Sequence, residues 1–129
     1  MNKDLFPQIK KEEAKLLSGQ VLAFIGDAVQ TLYIRGELVL SHDLKTGKLH
    51  ELVADRINAT AQAKKINSLL SSLTEEEMDI FKRGRNASVD GHTRNASVES
   101  YKLATGYEAL IGYLYLIGEY DRLVEIMEE

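Results

Sequence analysis

Two acidic residues lie alone in the middle of mostly apolar helical patterns. Asp27 belongs to the stretch V-L-A-F-I-G-D-A-V-Q-T-L-Y-I-R at residues 21–35, and Glu108 to a pattern from Val98 to about Ile117. No Lys or Arg lies three or four residues from either acid, which are the positions that adjoin it on a helix surface. A buried carboxylate without a partner is costly and requires a cation or a proton. Both acids are therefore candidate ligands of a divalent cation.

The surroundings of the two acids favour different explanations. Asp27 shares a broad arc of its helix with Gln20, Gln30, Thr31 and Glu37, so this helix alone favours a solvated edge. Glu108 is surrounded by apolar and aromatic positions and is harder to explain as an exposed acid. If the two helices pack together, both carboxylates can face one point. They would then suit Mg²⁺, which takes one or two protein carboxylates and completes its octahedral shell with water and phosphate.

Composition excludes several other classes of protein. The chain has 129 residues, 44% of them hydrophobic and 28% charged, with one proline and no cysteine. This length suits a single domain over residues 1–129, and the missing cysteines exclude disulfides and thiolate metal sites. The N-terminus lacks the apolar core of a signal peptide, and no apolar run reaches the ~20 residues that span a bilayer. We therefore expect a cytoplasmic protein without a membrane partner.

Helical spacing and capping residues predict an all-α fold. Ser18 is a candidate N-cap for a helix that ends near Leu40, followed by helical spacing from Leu49 to Leu73 with one break. A capping box, T-E-E-E at residues 74–77, predicts a helix that Gly84 ends, and Ser97 predicts another that ends before Gly118. A final helix is expected over residues 119–128. The buried stripe of the first long helix is predicted to contain Val21, Leu22, Ile25, Ala28, Val29, Leu32 and Tyr33.

Positive charge is concentrated in one segment, although the net charge of the chain is −4. Residues 82–102 contain only two acids, Asp90 and Glu99, together with five basic residues: Lys82, Arg83, Arg85, Arg94 and Lys102. This segment includes a long polar stretch at residues 84–97. Such a stretch is either a solvated loop or a functional one, and its basic residues suit phosphate groups.

Three segments, in this order, resemble the sequence landmarks of Mini-ribonuclease III. They are L-A-F-I-G-D-A-V, L-T-E-E-E-M-D-I-F-K-R-G-R-N-A and Y-K-L-A-T-G-Y-E-A-L-I-G-Y-L-Y-L, and the resemblance runs from about Gly19 to Leu123. That family is the stand-alone catalytic domain of the ribonuclease III superfamily, without a double-stranded-RNA-binding domain. The resemblance implies an all-helical homodimer that cleaves double-stranded RNA with magnesium. It also implies that the biological substrate is the 23S ribosomal RNA precursor.

The resemblance also assigns roles to single residues. Asp27 and Glu108 match the acids expected to bind magnesium and to carry out catalysis, and Phe24 matches an aromatic residue that inserts into the partner subunit. Ala23 and Thr105 occupy positions where full-length ribonuclease III has Glu and Asp, and Mini-ribonuclease III similarly lacks both acids. The residues expected to bind RNA, from the family's basic motif and its continuation, are Lys82, Arg83, Arg85, Asn86, Arg94 and Lys102.

Two other functions are compatible with parts of the sequence. A non-catalytic helical dimer that binds RNA or supports assembly would need the basic segment but no metal. An all-α nucleotide pyrophosphohydrolase would use E-x-x-E acids on facing helices. That spacing occurs only at Glu76/Asp79 and Glu125/Glu128, on faces predicted to be solvated. Cleavage of a labelled RNA duplex with magnesium and with a chelator distinguishes these functions.

Overall fold

The computed structural model describes residues 4–87 and 97–128, which form helices and connecting turns without any strand. The helices of this part of the chain are α1 (Lys11–Ala14), α2 (Gly19–Ser41), α3 (Thr46–Ile57), α4 (Ala59–Leu69), α5 (Glu75–Ala87), α6 (Val98–Leu116) and α7 (Tyr120–Met127). A 3₁₀ turn, Leu70–Ser72, follows α4. The all-α prediction is confirmed. None of the described helices is both long and apolar enough to cross a membrane.

Local capping signals place several helix ends where the sequence predicted them. The side chains of Ser18 and Ser97 accept hydrogen bonds from the backbone N–H three residues further on. Thr74 and Glu77 form the predicted reciprocal pair, each side chain accepting from the backbone N–H of the other residue. Gly118 follows α6 with a φ of +78°, a left-handed conformation that glycine adopts without strain. These helix boundaries therefore follow from short-range chemistry.

Helix α6 lies at the centre of the fold and packs against α2, α5 and α4. All residues from Ala104 to Leu114 are buried except Glu108, which is half-buried. The α2–α6 contact is the most extensive one between the described helices, and glycines let the two backbones approach closely. A Cβ atom at Gly26 would clash with the Glu108 carbonyl oxygen, and one at Gly112 would clash with the Leu22 carbonyl oxygen. This crossing brings Asp27 of α2 to the same level as Glu108 of α6.

The buried face of α2 differs from the predicted apolar stripe. Leu22 is buried as expected, but Val21, Ala28 and Leu32 are exposed. The buried positions follow a four-residue spacing and include small and polar residues: Gly19, Leu22, Ala23, Gly26, Gln30, Ile34 and Leu38. The prediction was wrong because the close α2–α6 crossing requires small residues at the contact. Val21, Ala28 and Leu32 consequently remain on the outside.

Gly84 does not end α5, contrary to the sequence-based prediction. The helix continues to Ala87, and Gly84 is buried against α6, where an added Cβ would meet Ala109 at 2.5 Å. Gly106 of α6 lies against the Phe81 ring in the same contact. Both glycines are therefore explained by the closeness of α5 to α6. The C-terminal turn of α5 extends the helix beside the first turn of α2.

Candidate active site

The carboxyl groups of Asp27 and Glu108 face each other where α2 crosses α6. The Asp27 side chain lies close enough to Glu108 for its negative charge to raise the pKa of the Glu108 carboxyl group. Asp27 is exposed, whereas Glu108 is half-buried, so the pair lies at the surface end of a partly enclosed site. The sequence could not establish whether these acids meet, and the structure brings them together.

The surroundings of Glu108 favour a neutralising partner. Burial is the main cause that raises the pKa of its carboxyl group from 4.5 to about 8, and the nearby Asp27 carboxyl group contributes to this rise. The nearby side-chain amide of Gln62 has the opposite effect. The positive charge of a divalent cation between the two carboxylates would offset their mutual repulsion. It would therefore favour the ionised form of both acids.

The available donors fit magnesium chemistry. Across residues 4–87 and 97–128, no group of three or more Asp, Glu, His or Cys side chains could hold a metal ion. The site therefore offers two carboxylates, Asp27 and Glu108, with room on the solvent side. Magnesium binds proteins in this way, through one or two carboxylates, and takes its remaining oxygen ligands from water and phosphate.

A cleft of about 370 Å³ opens beside Glu108, between α6 and the junction of α3 with α4. Thr105 lines this cleft, and its hydroxyl donates to the Tyr101 carbonyl oxygen at 3.0 Å. Ala23, the other position at which full-length ribonuclease III has an acid, is buried. Neither position supplies a carboxylate. The other residues that line the cleft are Ile57, Asn58, Ala59, Gln62, Tyr101 and Ala104.

Two glutamines beside the acids were not recognised from the sequence. Gln30, which was placed on a solvated arc of α2, is only 5% exposed, and Gln62 of α4 is only 3% exposed. The Gln62 Nε2 atom donates to the Gln30 Oε1 atom at 2.6 Å. One signal could have identified Gln62: it lies four residues before the apolar Ile66, a spacing that places both on one face of a helix.

The predicted RNA-binding residues lie in different surroundings at the end of α5 and the start of α6. Lys82, Asn86 and Lys102 are exposed. Arg83 donates to the Leu17 carbonyl oxygen, so it also ties α5 to the segment before α2. Arg94 lies outside the described residues.

Arg85 places its guanidinium group over an aromatic ring. Its Cζ atom is 5.6 Å from the centre of the Phe81 ring, and its Nε atom donates to Asn86 Oδ1 at 3.2 Å. The ring holds the guanidinium group near the end of α5, where one face of the cation remains available. This arrangement is compatible with a contact to phosphate.

Phe24 lies on the outer face of α2, one turn before Asp27. Its side chain is 82% exposed, and Leu32 on the same face is 66% exposed. A large exposed apolar patch is typical of an interaction surface. An apolar groove of about 420 Å³ adjoins this face, lined by Leu5, Phe6, Ile25, Ala28, Val29, Leu32, Tyr33, Tyr115, Tyr120, Leu123 and Val124.

The sequence of the chain matches known proteins over nearly all of its length. The model of the ribonuclease III domain family matches residues 20–119. The Mini-ribonuclease 3 of Thermoanaerobacter sp. is 44% identical over 120 residues, which cover 93% of this chain and 84% of that protein. The chain belongs to the Mini-ribonuclease III family. The family's Clostridium tetani member is 41% identical over 122 residues, covering 94% of this chain and 81% of the relative.

A solved structure also resembles this Mini-ribonuclease III fold. The crystal structure of a Fusobacterium nucleatum protein superposes with a TM-score of 0.80 at 34% sequence identity, covering 85% of this chain and 88% of that one. The predicted ribonuclease III helical fold is confirmed by this likeness and by the family match. Membership in the family makes the chain an endoribonuclease that acts on RNA.

Family membership decides against the nucleotide pyrophosphohydrolase, and two of the acids on which that alternative depended have other partners. Glu76 forms ion pairs with Lys11 and Lys15 at 3.4 and 3.1 Å and accepts a hydrogen bond from Tyr113. Glu125 forms an ion pair with Arg122 at 3.2 Å. The Glu76 contacts connect α5 to the α1 segment and to α6, whereas the Glu125 pair lies within α7. Among the described residues of this Mini-ribonuclease III, the acids that face each other beside the cleft are Asp27 and Glu108.

Proposed function

We propose that this endoribonuclease cleaves double-stranded RNA, with Mg²⁺ held by Asp27 and Glu108, and that it acts as a homodimer. The observation that carries the proposal is the meeting of the two carboxylates beside a cleft. The biological substrate in this proposal is a double-stranded stem of the 23S ribosomal RNA precursor in the cytoplasm. Residues 1–129 would form one catalytic domain.

The acids of the site and the bound cation would have different roles in phosphodiester hydrolysis. Asp27 and Glu108 would hold the cation at the mouth of the cleft, where an RNA phosphate can reach it from solvent. Bound Mg²⁺ would supply Lewis acidity for the attack of water and for the departure of the leaving oxygen. Asp27 and Glu108 would hold the Mg²⁺ ion from two rigid helices. This would fix the position of the reacting phosphate relative to the protein. The expected products have 5′-phosphate and 3′-hydroxyl ends.

Basic residues near the α5–α6 junction would hold the RNA backbone. Lys82 and Lys102 are exposed, and the proposed contact surface also includes Arg83, Arg85, Asn86 and Arg94. Contacts to phosphate supply affinity and orientation but carry no sequence information directly. An A-form duplex is recognised mainly by its shape and its 2′-hydroxyls. We therefore expect a preference for duplex over single-stranded RNA.

Dimerisation would cover the exposed apolar face of α2. In this proposal, Phe24 of one subunit enters the apolar groove of the other, which Leu32 and Phe6 line. Phe24 is 82% exposed, so a partner that covers this aromatic side chain would bury a large apolar area. Aromatic residues that fill pockets contribute most of the binding free energy at many interfaces. The dimer would present two sites to one RNA duplex.

One cleavage experiment tests the chemistry. An end-labelled RNA duplex with the sequence of a 23S precursor stem, and its single strand alone, are incubated with the protein in MgCl₂ or in EDTA. We expect cleavage of the duplex in MgCl₂ only, with 5′-phosphate ends. A second duplex of equal length and scrambled sequence measures preference for the precursor stem. Equal cleavage in EDTA, or equal cleavage of the single strand, would contradict the proposal.

A further inference from the structure

Two buried side-chain amides connect α2 and α4 directly behind the acidic pair. Gln62 is 3% exposed and Gln30 is 5% exposed, and the Gln62 Nε2 atom donates to Gln30 Oε1 at 2.6 Å. Gln62 also lines the same cleft as Glu108, and its amide lowers the pKa of the Glu108 carboxyl group. Three helices therefore bring polar side chains together, Gln30 from α2, Gln62 from α4 and Glu108 from α6.

The hydrogen-bonding capacity of an amide fixes how Gln62 faces Glu108. A glutamine side chain has two N–H donors on one nitrogen and one acceptor oxygen. One donor of Gln62 goes to the Gln30 oxygen, and the same nitrogen can direct its second donor to Glu108. The flipped orientation would place the Gln62 oxygen against both the Gln30 oxygen and the Glu108 carboxylate, which would be repulsive. Gln30 thus holds the donor side of Gln62 toward Glu108.

We infer that Gln62 is a positioning residue for Glu108, and that Gln30 acts through Gln62 by fixing the direction of its amide. The inference rests on the proposed function, in which Glu108 is a metal ligand. A donor to one carboxylate oxygen restricts rotation of the carboxylate and leaves the second oxygen for the cation beside Asp27. Partners that orient metal ligands in this way affect both metal affinity and activity when they are replaced.

The experiment compares three variants of the full chain. Gln62→Met keeps the length of the side chain but removes its donors and its acceptor, and Gln30→Met removes the acceptor that orients Gln62 while leaving Gln62 in place. Ile66→Val is the matched control, because Ile66 is buried one turn further along α4. Mn²⁺, which also takes oxygen ligands, is titrated into each free protein and its binding is measured by electron paramagnetic resonance. Mg²⁺-dependent duplex cleavage and thermal melting in EDTA are measured in parallel.

We expect Gln62→Met to weaken Mn²⁺ binding about 10- to 100-fold, which is the usual effect of losing such a partner. Gln30→Met should weaken it less, and Ile66→Val should leave it unchanged. If both glutamine variants lower the melting temperature but bind Mn²⁺ like the control, the amides are only structural and the inference is wrong. If Gln62→Met does not fold, Gln30→Met decides by the same comparison. Wild-type protein that binds no Mn²⁺ would instead overturn the proposed metal site, and the inference with it.

Discussion

Variants of Asp27 and Glu108 can distinguish a role in catalysis from a role in folding. Asp27→Asn and Glu108→Gln keep the shape of each side chain and remove the charge that a cation requires. We expect each variant to lose at least ~100-fold in cleavage rate, because several kcal/mol of transition-state stabilisation depend on a correctly held metal. Duplex binding, measured by gel shift in EDTA, should persist, since the basic residues supply it.

The same variants have a different expected result if the acids only stabilise the fold. Removing one partner of a buried ion pair typically costs ~3–5 kcal/mol in the free energy of unfolding. Here the two acids face each other, so their neutral variants should melt in EDTA at the wild-type temperature or above it. A variant that melts early but cleaves at the wild-type rate while folded would remove that residue from the catalytic assignment.

Glu108 should also make the stability of the metal-free protein depend on pH. Burial and Asp27 raise the pKa of Glu108 to about 8, whereas the unfolded chain releases this proton near pH 4.5. Between these values the folded state holds a proton that the unfolded state has released, so the free energy of unfolding falls as pH rises from about 4.5 to 8. Melting curves in EDTA across this range measure the effect.

Two variants provide controls for the pH effect. Glu108→Gln cannot titrate, so it should lose this contribution to the slope of stability against pH. Asp27→Asn removes the neighbouring negative charge, which should move the titration of Glu108 to lower pH. An unchanged slope in Glu108→Gln would show that another group causes it.

The sequence identified the two candidate acids better than the polar residues beside them. Glu108 is isolated in an apolar helical pattern, so it was recognisable without coordinates, whereas the pattern around Asp27 alone favoured a solvated edge. Gln30 and Gln62 are neutral and polar, and such residues are usually exposed. Their burial depends on α4 packing beside α2 and α6, which is long-range information that a single helix does not contain.

At the scale of helices, the α2–α6 crossing determines the geometry of the site. Gly26 lies directly before Asp27, and a Cβ there would clash with the carbonyl oxygen of Glu108. Gly26→Ala must therefore separate the two helices, which we expect to cost ~1–3 kcal/mol or more in the free energy of unfolding. Because the same shift moves both acids, the cleavage rate should fall as well. Thermal melting and duplex cleavage measure the two effects.

Gly36→Ala is the matched control for this crossing. Gly36 lies in the same helix, and an added Cβ would have no neighbour within 4 Å. At such a position alanine stabilises a helix by about 0.5–1 kcal/mol relative to glycine. Its cleavage rate should be unchanged. If the two alanine variants had equal stability and activity, the close approach at Gly26 would not be what positions the acids.

Helix positions were predictable where short-range chemistry determines them. Ser18, Ser97 and the capping box at residues 74–77 act within four residues, and the structure confirms each of them. Gly84 was misinterpreted because a glycine can end a helix or permit close packing, and only the position of α6 distinguishes these roles. The apolar stripe of α2 was wrong for a related reason. Val21, Ala28 and Leu32 of this stripe do not face the core of the subunit.

At the scale of the whole molecule, the net negative charge makes the position of the basic residues important for RNA binding. Lys82 and Lys102 are exposed near the α5–α6 junction, so replacing each with alanine should weaken binding of all duplex sequences about equally. The slope of log affinity against log salt should decrease by about one unit for each phosphate group that the variant no longer binds. Fluorescence anisotropy at several salt concentrations, in EDTA to prevent cleavage, measures this slope.

Lys48→Ala is the control for loss of positive charge alone. Lys48 is exposed and belongs to α3, which packs near the end of α2 opposite to the α5 contact. It forms an ion pair with Glu51 at 3.3 Å. An equal change of slope in all three variants would indicate a general charge effect and not a contact surface at the α5–α6 junction.

Phe24 connects the structure of the subunit to that of the proposed dimer. Its side chain contributes little to the core of the subunit, since 82% of it is exposed. Truncating an aromatic anchor at an interface typically costs ~2 kcal/mol or more, which is about 30-fold in affinity, and a symmetric dimer of the variant loses two such anchors. We therefore expect Phe24→Ala to dissociate at higher concentrations than wild type in analytical ultracentrifugation. Cleavage activity should fall over the same concentration range.

Leu40→Ala separates this effect from a general loss of exposed apolar surface. Leu40 lies near the other end of α2 and is 89% exposed, but it does not line the groove. Its replacement should leave the dimer, the melting temperature and the cleavage rate close to wild type. If Phe24 only supported the subunit, Phe24→Ala would lower the melting temperature at every protein concentration without changing dissociation. A Phe24→Ala protein that remains dimeric at the same nanomolar concentrations as Leu40→Ala would contradict its role as the anchor of the dimer.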